Sequence, residues 1–234
     1  MNFGRAFTYV TEDPDWLKKL GIAMLVMLIP ILGQIAVGGW SLEIMRRVIN
    51  DEPEILPEWN DFGKYISNGF KELVIGLVYA LPAILIYGCG LATIAGFGMV
   101  VSNSGGDAST SDAMGGAIAF TGLCTNCLLC LFILVAVLLI QPAIGNLAAT
   151  GELSAAFRFA EVFGLLRAAM GPYVLSILLI ALVAPIASSL GSIACGIGAL
   201  FALAYSRAVS NHLFGQAYKI ARASLSNTPV ESTM

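Results

Sequence analysis

Cys124, Cys127 and Cys130 stand at steps of three, the first arrangement in this chain that could do chemistry. A C-x-x-C-x-x-C run resembles the opening of an iron–sulfur ligand set, but such clusters take four thiolates, usually from a loop that wraps the metal. Here the flanking residues are apolar, and the fourth ligand would have to come from Cys89 or Cys195. Steps of three align sulfurs on one helix face, where packing against a neighbouring helix accounts for them. No metal and no cofactor is therefore expected. A disulfide from Cys89 to one of the three stays open, because spacing alone does not settle it.

Two amides form the next candidate. Pro30-Ile31-Leu32-Gly33-Gln34-Ile35-Ala36-Val37-Gly38-Gly39 lies without gaps on Pro142-Ala143-Ile144-Gly145-Asn146-Leu147-Ala148-Ala149-Thr150-Gly151, which puts Gln34 and Asn146 in step beside a Pro and a Gly. A buried amide can simply hydrogen-bond a neighbouring helix. In transporters built from repeats, broken helices bring such groups to the bilayer midplane around a solute. Both readings stand, the second with Gln34 and Asn146 lining a small polar pathway and Pro30, Pro82, Pro142 and Pro185 breaking the helices. His212, the only histidine, sits among Asn211 and Phe214 and is read as structural. No charge lies in the middle of any apolar run, whereas ion-coupled pumps and proton relays place one there. No G-x-S-x-G, H-E-x-x-H or P-loop is present, so no catalytic residue is assigned and the chain is expected not to be an enzyme.

The elements that must position these groups follow from where charge is absent. The chain has 234 residues, 58% hydrophobic and 12% charged, with a mean hydropathy of +0.84. A soluble domain carries roughly 25% charged residues, so this is a membrane chain, with the lipid bilayer as its first partner. Net charge −3 excludes nucleic acid, whose binding needs a clustered basic surface. Charge-free runs extend from Leu20 to Leu42, Leu73 to Gly106, Ala113 to Gly151 and Pro172 to Ser206. The last three would each be roughly 50 Å as straight helices against a hydrocarbon core of about 30 Å. The Pro172–Ser206 run carries Pro185 and then Ser188, Ser189, Gly191 and Ser192, which predicts a hairpin of two short spans. About five spans follow, within a range of four to six, in an all-α polytopic transmembrane bundle forming a single integral membrane domain over 1–234.

Lys and Arg mark the cytoplasmic loops: Arg46, Arg47, Lys64 and Lys71, then Arg158 and Arg167, then Lys219 and Arg222. Arg5, Lys18 and Lys19 break this scheme. Either the rule fails at that end, or Leu20–Trp40 enters and leaves on one side around Pro30, Gly33, Gly38 and Gly39. Residues 1–19, with aromatics among charges, read as an interfacial segment, and 223–234 as a loose tail. Two amphipathic connectors follow the echoed decapeptides, Glu58–Glu72 with Trp59, Asp61 and Lys64, and Glu152–Arg167 with Arg158 and Glu161 as an i,i+3 pair. Together they outline a degenerate internal repeat, with halves at about 20–101 and 113–206.

Several stretches also carry a resemblance. Pro57-Glu58-Trp59-Asn60-Asp61-Phe62, Asn68-Gly69-Phe70, Ala80-Leu81-Pro82, Ala155-Ala156-Phe157-Arg158-Phe159 with Glu161-Val162, and Gly215-Gln216-Ala217-Tyr218 resemble the prokaryotic membrane proteins grouped as domain of unknown function 4013. The resemblance covers nearly the whole chain and implies a helical, multi-pass protein of a prokaryotic cytoplasmic (inner) membrane. It implies no activity. The 25 glycines favour close helix packing and self-association. The leading expectation is a non-enzymatic structural or accessory subunit that forms a homo-oligomer or binds other membrane proteins. The alternative is a transporter or channel for a small or lipid-like solute.

Overall fold

The computed structural model describes residues 1–53, 55–103, 108–192 and 197–227. Every regular element among them is helical: α1 (Phe3–Glu12), α2 (Trp16–Met27), α3 (Leu32–Ile49), α4 (Phe62–Asn103), α5 (Ala108–Thr150), a 3-10 turn (Leu153–Phe157), α6 (Phe159–Ala168), α7 (Met170–Ser192) and α8 (Ile197–Asn227). Three of them are long and apolar enough to cross a membrane, over Phe62–Val100, Asp112–Thr150 and Met170–Ser189. The chain divides into two compact units, Met1–Gly76 with Leu138–Met234, and Leu77–Val137.

The smaller unit holds the apolar parts of α4 and α5. Within it Gly90 lies against Thr125, so close that a Cβ at Gly90 would meet the Thr125 methyl at 2.5 Å. Leu85, Leu91, Phe120, Leu123, Leu131 and Leu134 of this unit are exposed. The most apolar stretch of α5 has none of its residues buried, a surface that water does not tolerate over such a length.

The larger unit packs around α8, whose Ala204, Ala208, Leu213, Ala217 and Ala221 are buried at four- or five-residue steps. α1 starts where the Asn2 side chain accepts a hydrogen bond from the Arg5 amide at 3.1 Å. Its apolar face, Ala6, Tyr9 and Val10, is covered by protein, while Phe3, Phe7 and Trp16 are half-buried. Where α3 crosses the first turns of α4, the two backbones touch. A Cβ on Gly39 would lie 1.8 Å from the Tyr65 carbonyl oxygen, and one on Gly69 1.7 Å from that of Ile35. Only hydrogen fits at either position.

Several expectations need correction. Of about five expected spans, three are matched among the described residues by helices long and apolar enough to cross a membrane, and the first apolar run is divided by a turn at 28–31. The hairpin turn expected at Ser188–Ser192 falls within the end of α7, and 193–196 lie outside the described residues. Pro82, Pro142 and Pro185 do not break their helices. A proline removes one amide bond and kinks, but in a long helix the remaining bonds hold. The Glu58–Glu72 connector is no separate helix, since α4 runs on from Phe62 into the apolar segment. The echoed decapeptides occupy unlike places, one straddling the turn before α3 and the other closing α5. The tail is helical through Asn227, and 228–234 lie outside the described residues.

Candidate functional site

Asn146 is fully buried one turn before the end of α5, and α8 brings its partners from more than seventy positions away. The Tyr218 hydroxyl donates to Asn146 Oδ1 at 2.9 Å, and Arg222 Nη2 donates to the same oxygen at 3.3 Å. Asn146 Nδ2 donates to the Ala155 carbonyl at 3.2 Å, which ties α5 to the 3-10 turn behind it. Arg222 also donates from Nε to the Tyr218 oxygen at 2.9 Å and from Nη2 to Glu161 Oε1 at 2.5 Å. Arg158 pairs with Glu161 at 3.6 Å. Burial raises the Tyr218 pKa although Arg222 beside it acts the other way, so the phenol keeps its proton and donates. Burial alone would lower Arg222, but its hydrogen bonds and charge contacts with Tyr218 and Glu161 raise it. Gly145 makes room for this cluster, because a Cβ there would strike the Tyr218 ring at 2.3 Å.

A second cluster gathers on the segment before α4. Trp59 stacks on buried Trp40 with centroids 5.5 Å apart and an interplanar angle of 11°. Trp59 Nε1 donates to the Lys19 carbonyl at 2.9 Å, and Trp40 Nε1 to the Pro57 carbonyl at 3.0 Å. Lys19, 4% exposed, reaches Asp13 at 2.7 Å, Glu58 at 3.0 Å and the Leu56 carbonyl at 3.1 Å. Burial pulls its pKa down, but the bonds to Asp13 and Glu58 outweigh that and raise it. Asp61 accepts from the Lys64 amide at 3.1 Å, and Lys64 Nζ reaches Glu43 at the same distance. Further along, Glu72 points at Gly38 and pairs with Arg207 at 3.6 Å.

Gln34 and Asn146 are not alike. Gln34 is exposed in the first turn of α3, whereas Asn146 is sealed in its network. His212 stacks on Tyr9 at 4.3 Å, and its Nδ1 faces Gln216 Nε2 at 3.0 Å. Burial, and then the charge of Arg5, lower its pKa from 6.5 to about 4, so the ring is neutral and accepts from the amide. Nearby, a cleft of about 470 Å³ is lined by Arg5, Asp51, Glu52, His212, Gln216 and Lys219, with Lys219 already paired to Asp51. Cys89, Cys124, Cys127 and Cys130 are free and exposed, on α4 and α5. Among the described residues no group of three or more His, Cys, Asp or Glu is placed to hold a metal.

The residues that carried the sequence resemblance therefore do identifiable work in packing: Pro57, Glu58 and Trp59 clamp Lys19 and Trp40, Gly69 admits α3, Ala155 holds Asn146, and Tyr218 completes its network. The family model described as protein of unknown function (DUF4013) matches residues 22–196. The chain belongs to this family. No curated protein and no solved structure matches it significantly. Tyr218 and Arg222 were not singled out as partners of Asn146 from sequence, since spacing within α8 carries no information about α5. Lys19 stands out in the sequence only as one of three charges that break the orientation scheme, and nothing local signals that Asp13 and Glu58 enclose it.

Proposed function

We propose that the chain is a non-enzymatic, multi-pass protein of a prokaryotic cytoplasmic membrane, acting as a structural or accessory subunit that associates with copies of itself or with other membrane proteins. The observation that carries this reading is how the chemically capable side chains are used. Asn146, Tyr218, Arg222, Glu161, Lys19, Glu58, Lys64 and Glu43 bind one another across helices, which rigidifies a scaffold. The apolar surface, by contrast, is offered outward on α4 and α5. Gly88, Gly96, Gly98, Gly115, Gly116 and Gly122 have nothing within 4 Å of where a Cβ would stand, and such bare positions let another helix approach closely in lipid.

Passage of a solute along Gln34 and Asn146 draws no comparable support, because the Asn146 amide is spent on Tyr218, Arg222 and Ala155. Extraction from native membranes in mild detergent, followed by measurement of protein mass, tests the subunit reading. The expected result is a multiple of 24.6 kDa or a fixed stoichiometry with another membrane protein. A monodisperse monomer without partners would contradict it.

A further inference from the structure

The segment from Lys19 to Trp40 begins and ends at one place. Lys19 on α2 and Trp40 on α3 are both bound by the Leu56–Trp59 strip, while the far ends of the two helices meet where a Cβ on Gly33 would touch the Val26 carbonyl oxygen at 1.9 Å. α2 and α3 thus form a helical hairpin whose closed end is the turn at 28–31. From Lys19 to Ile29 the first arm rises about 15 Å, and from Leu32 to Glu43 the second covers about 17 Å. Neither arm crosses a hydrocarbon core of about 30 Å.

The closed end is built for an anhydrous medium. Leu25 is 59% exposed, Leu28 61%, Ile29 47%, Ile31 75% and Leu32 55%. The turn satisfies most of its own backbone: the Leu28 amide donates to Leu25, Ile29 to Val26, Leu32 to Pro30 and Gly33 to Ile29, at 2.8–3.2 Å. Pro30 has no N–H to leave unpaired. Leu32 to Pro30 closes a γ-turn with Ile31 at φ 66°, ψ −66°, a strained conformation for a β-branched residue that buries nothing in the protein. Gln34, one turn below, is the one polar side chain on this surface. At the open end stand exposed Lys18 and Arg46, and all three tryptophans lie there or beside it. All twelve Lys and Arg of the chain fall in the larger unit, and the smaller unit has none.

We propose that the α2–α3 hairpin is re-entrant: it inserts Leu25–Leu32 into the acyl chains of a single phospholipid leaflet and keeps both of its ends at the same membrane face, where Lys18 and Arg46 meet lipid phosphates. This rests on the chain residing in a bilayer, as proposed above. It also removes the conflict that Arg5, Lys18 and Lys19 create for a spanning first helix, because the positive charges before and after the hairpin then share the cytoplasmic side.

The test uses the full chain with its five Cys replaced by Ala, expressed in sealed membranes of known orientation. Thr11→Cys and Asn50→Cys should react with a membrane-impermeant maleimide from the same side. A nitroxide on Ile31→Cys, and on Leu28→Cys in case the strained position misfolds, should be relaxed several-fold more by oxygen than by a water-soluble nickel chelate. Labelling of positions 11 and 50 from opposite sides would overturn the hairpin. So would greater relaxation by nickel, or shielding from both agents, which would place water or protein at the apex. Absence of the chain from the membrane fraction would defeat the membrane reading as well, and only that outcome would.

Discussion

The crossing of α3 over α4 allows a prediction whose size comes from a single distance. In Gly69→Ala the new Cβ would stand 1.7 Å from the Ile35 carbonyl oxygen and 2.9 Å from the Gly39 amide nitrogen. Both are backbone atoms, so no side chain can swing aside. Ordinary contact begins near 3.4 Å, and the helices must part by about 1.7 Å at their tightest point. A gap of 0.5–1 Å already forfeits about a quarter to a half of a dispersion contact, and overpacking of this kind costs about 1–3 kcal/mol, sometimes more. Alanine returns about 1 kcal/mol of helix propensity. The backbone overlap places the cost at the upper end of that range, which leaves a net loss of about 2 kcal/mol and lowers the melting temperature by roughly 4–8 °C at this chain length. Gly164→Ala in α6 is the matched control, with nothing within 4 Å of its Cβ position, and should hold stability or raise it by up to about 1 kcal/mol. Thermal unfolding of detergent-solubilised protein reads both. A Gly69→Ala protein at least as stable as the parent would refute the close-approach reasoning.

Other consequences follow from the buried polar groups and the hairpin turn. Asn146→Leu leaves the Tyr218 hydroxyl, an Arg222 nitrogen and the Ala155 carbonyl short of a partner and should cost roughly 2–4 kcal/mol, while Gln34→Leu, at an exposed position, should stay within about 0.5 kcal/mol; denaturation curves separate them. His212 has a folded pKa of about 4 against an ordinary 6.5, so the unfolded chain binds more protons between those values. Stability should therefore fall by about 2 kcal/mol from pH 7 to pH 5, and His212→Phe, which keeps a ring on Tyr9, should flatten that slope in pH-dependent melting. Ile31→Gly relieves a positive-φ penalty of about 1–3 kcal/mol at a side chain 75% exposed, and should raise stability in detergent by about 1 kcal/mol after the flexibility of glycine is counted.

Much of the helical architecture was readable from charge spacing, because a long run without charge in an apolar chain has no other stable form in lipid than a helix. The run from Leu73 coincides with the apolar length of α4 as far as Asn103, and the run from Ala113 with that of α5 as far as Thr150. Length alone could not tell that α4 absorbs Phe62–Glu72 of the connector, since the polar positions Lys64, Asn68 and Lys71 continue in helical register into Leu73 without any stop signal. Proline misled for a related reason: Pro82, Pro142 and Pro185 weaken a helix locally, and whether the backbone breaks depends on what packs around it. At the first apolar run both readings were physically open, and the turn at 28–31 divides it. The candidate site was visible only in halves. Asn146, Arg158, Glu161, Trp59 and Lys64 stood out as polar groups at patterned positions, whereas their partners Tyr218, Arg222, Lys19 and Glu43 come from helices whose docking no local signal encodes.

The most direct measurement is partition of the native chain under an alkaline carbonate wash, which strips proteins held to membranes by charge and leaves those held by apolar surface. With α4, α5 and α7 long and apolar enough to cross a bilayer, the 24.6 kDa chain should remain wholly in the membrane pellet. Its release into the supernatant as a compact particle, soluble without detergent or lipid, would contradict the placement of those helices in a membrane.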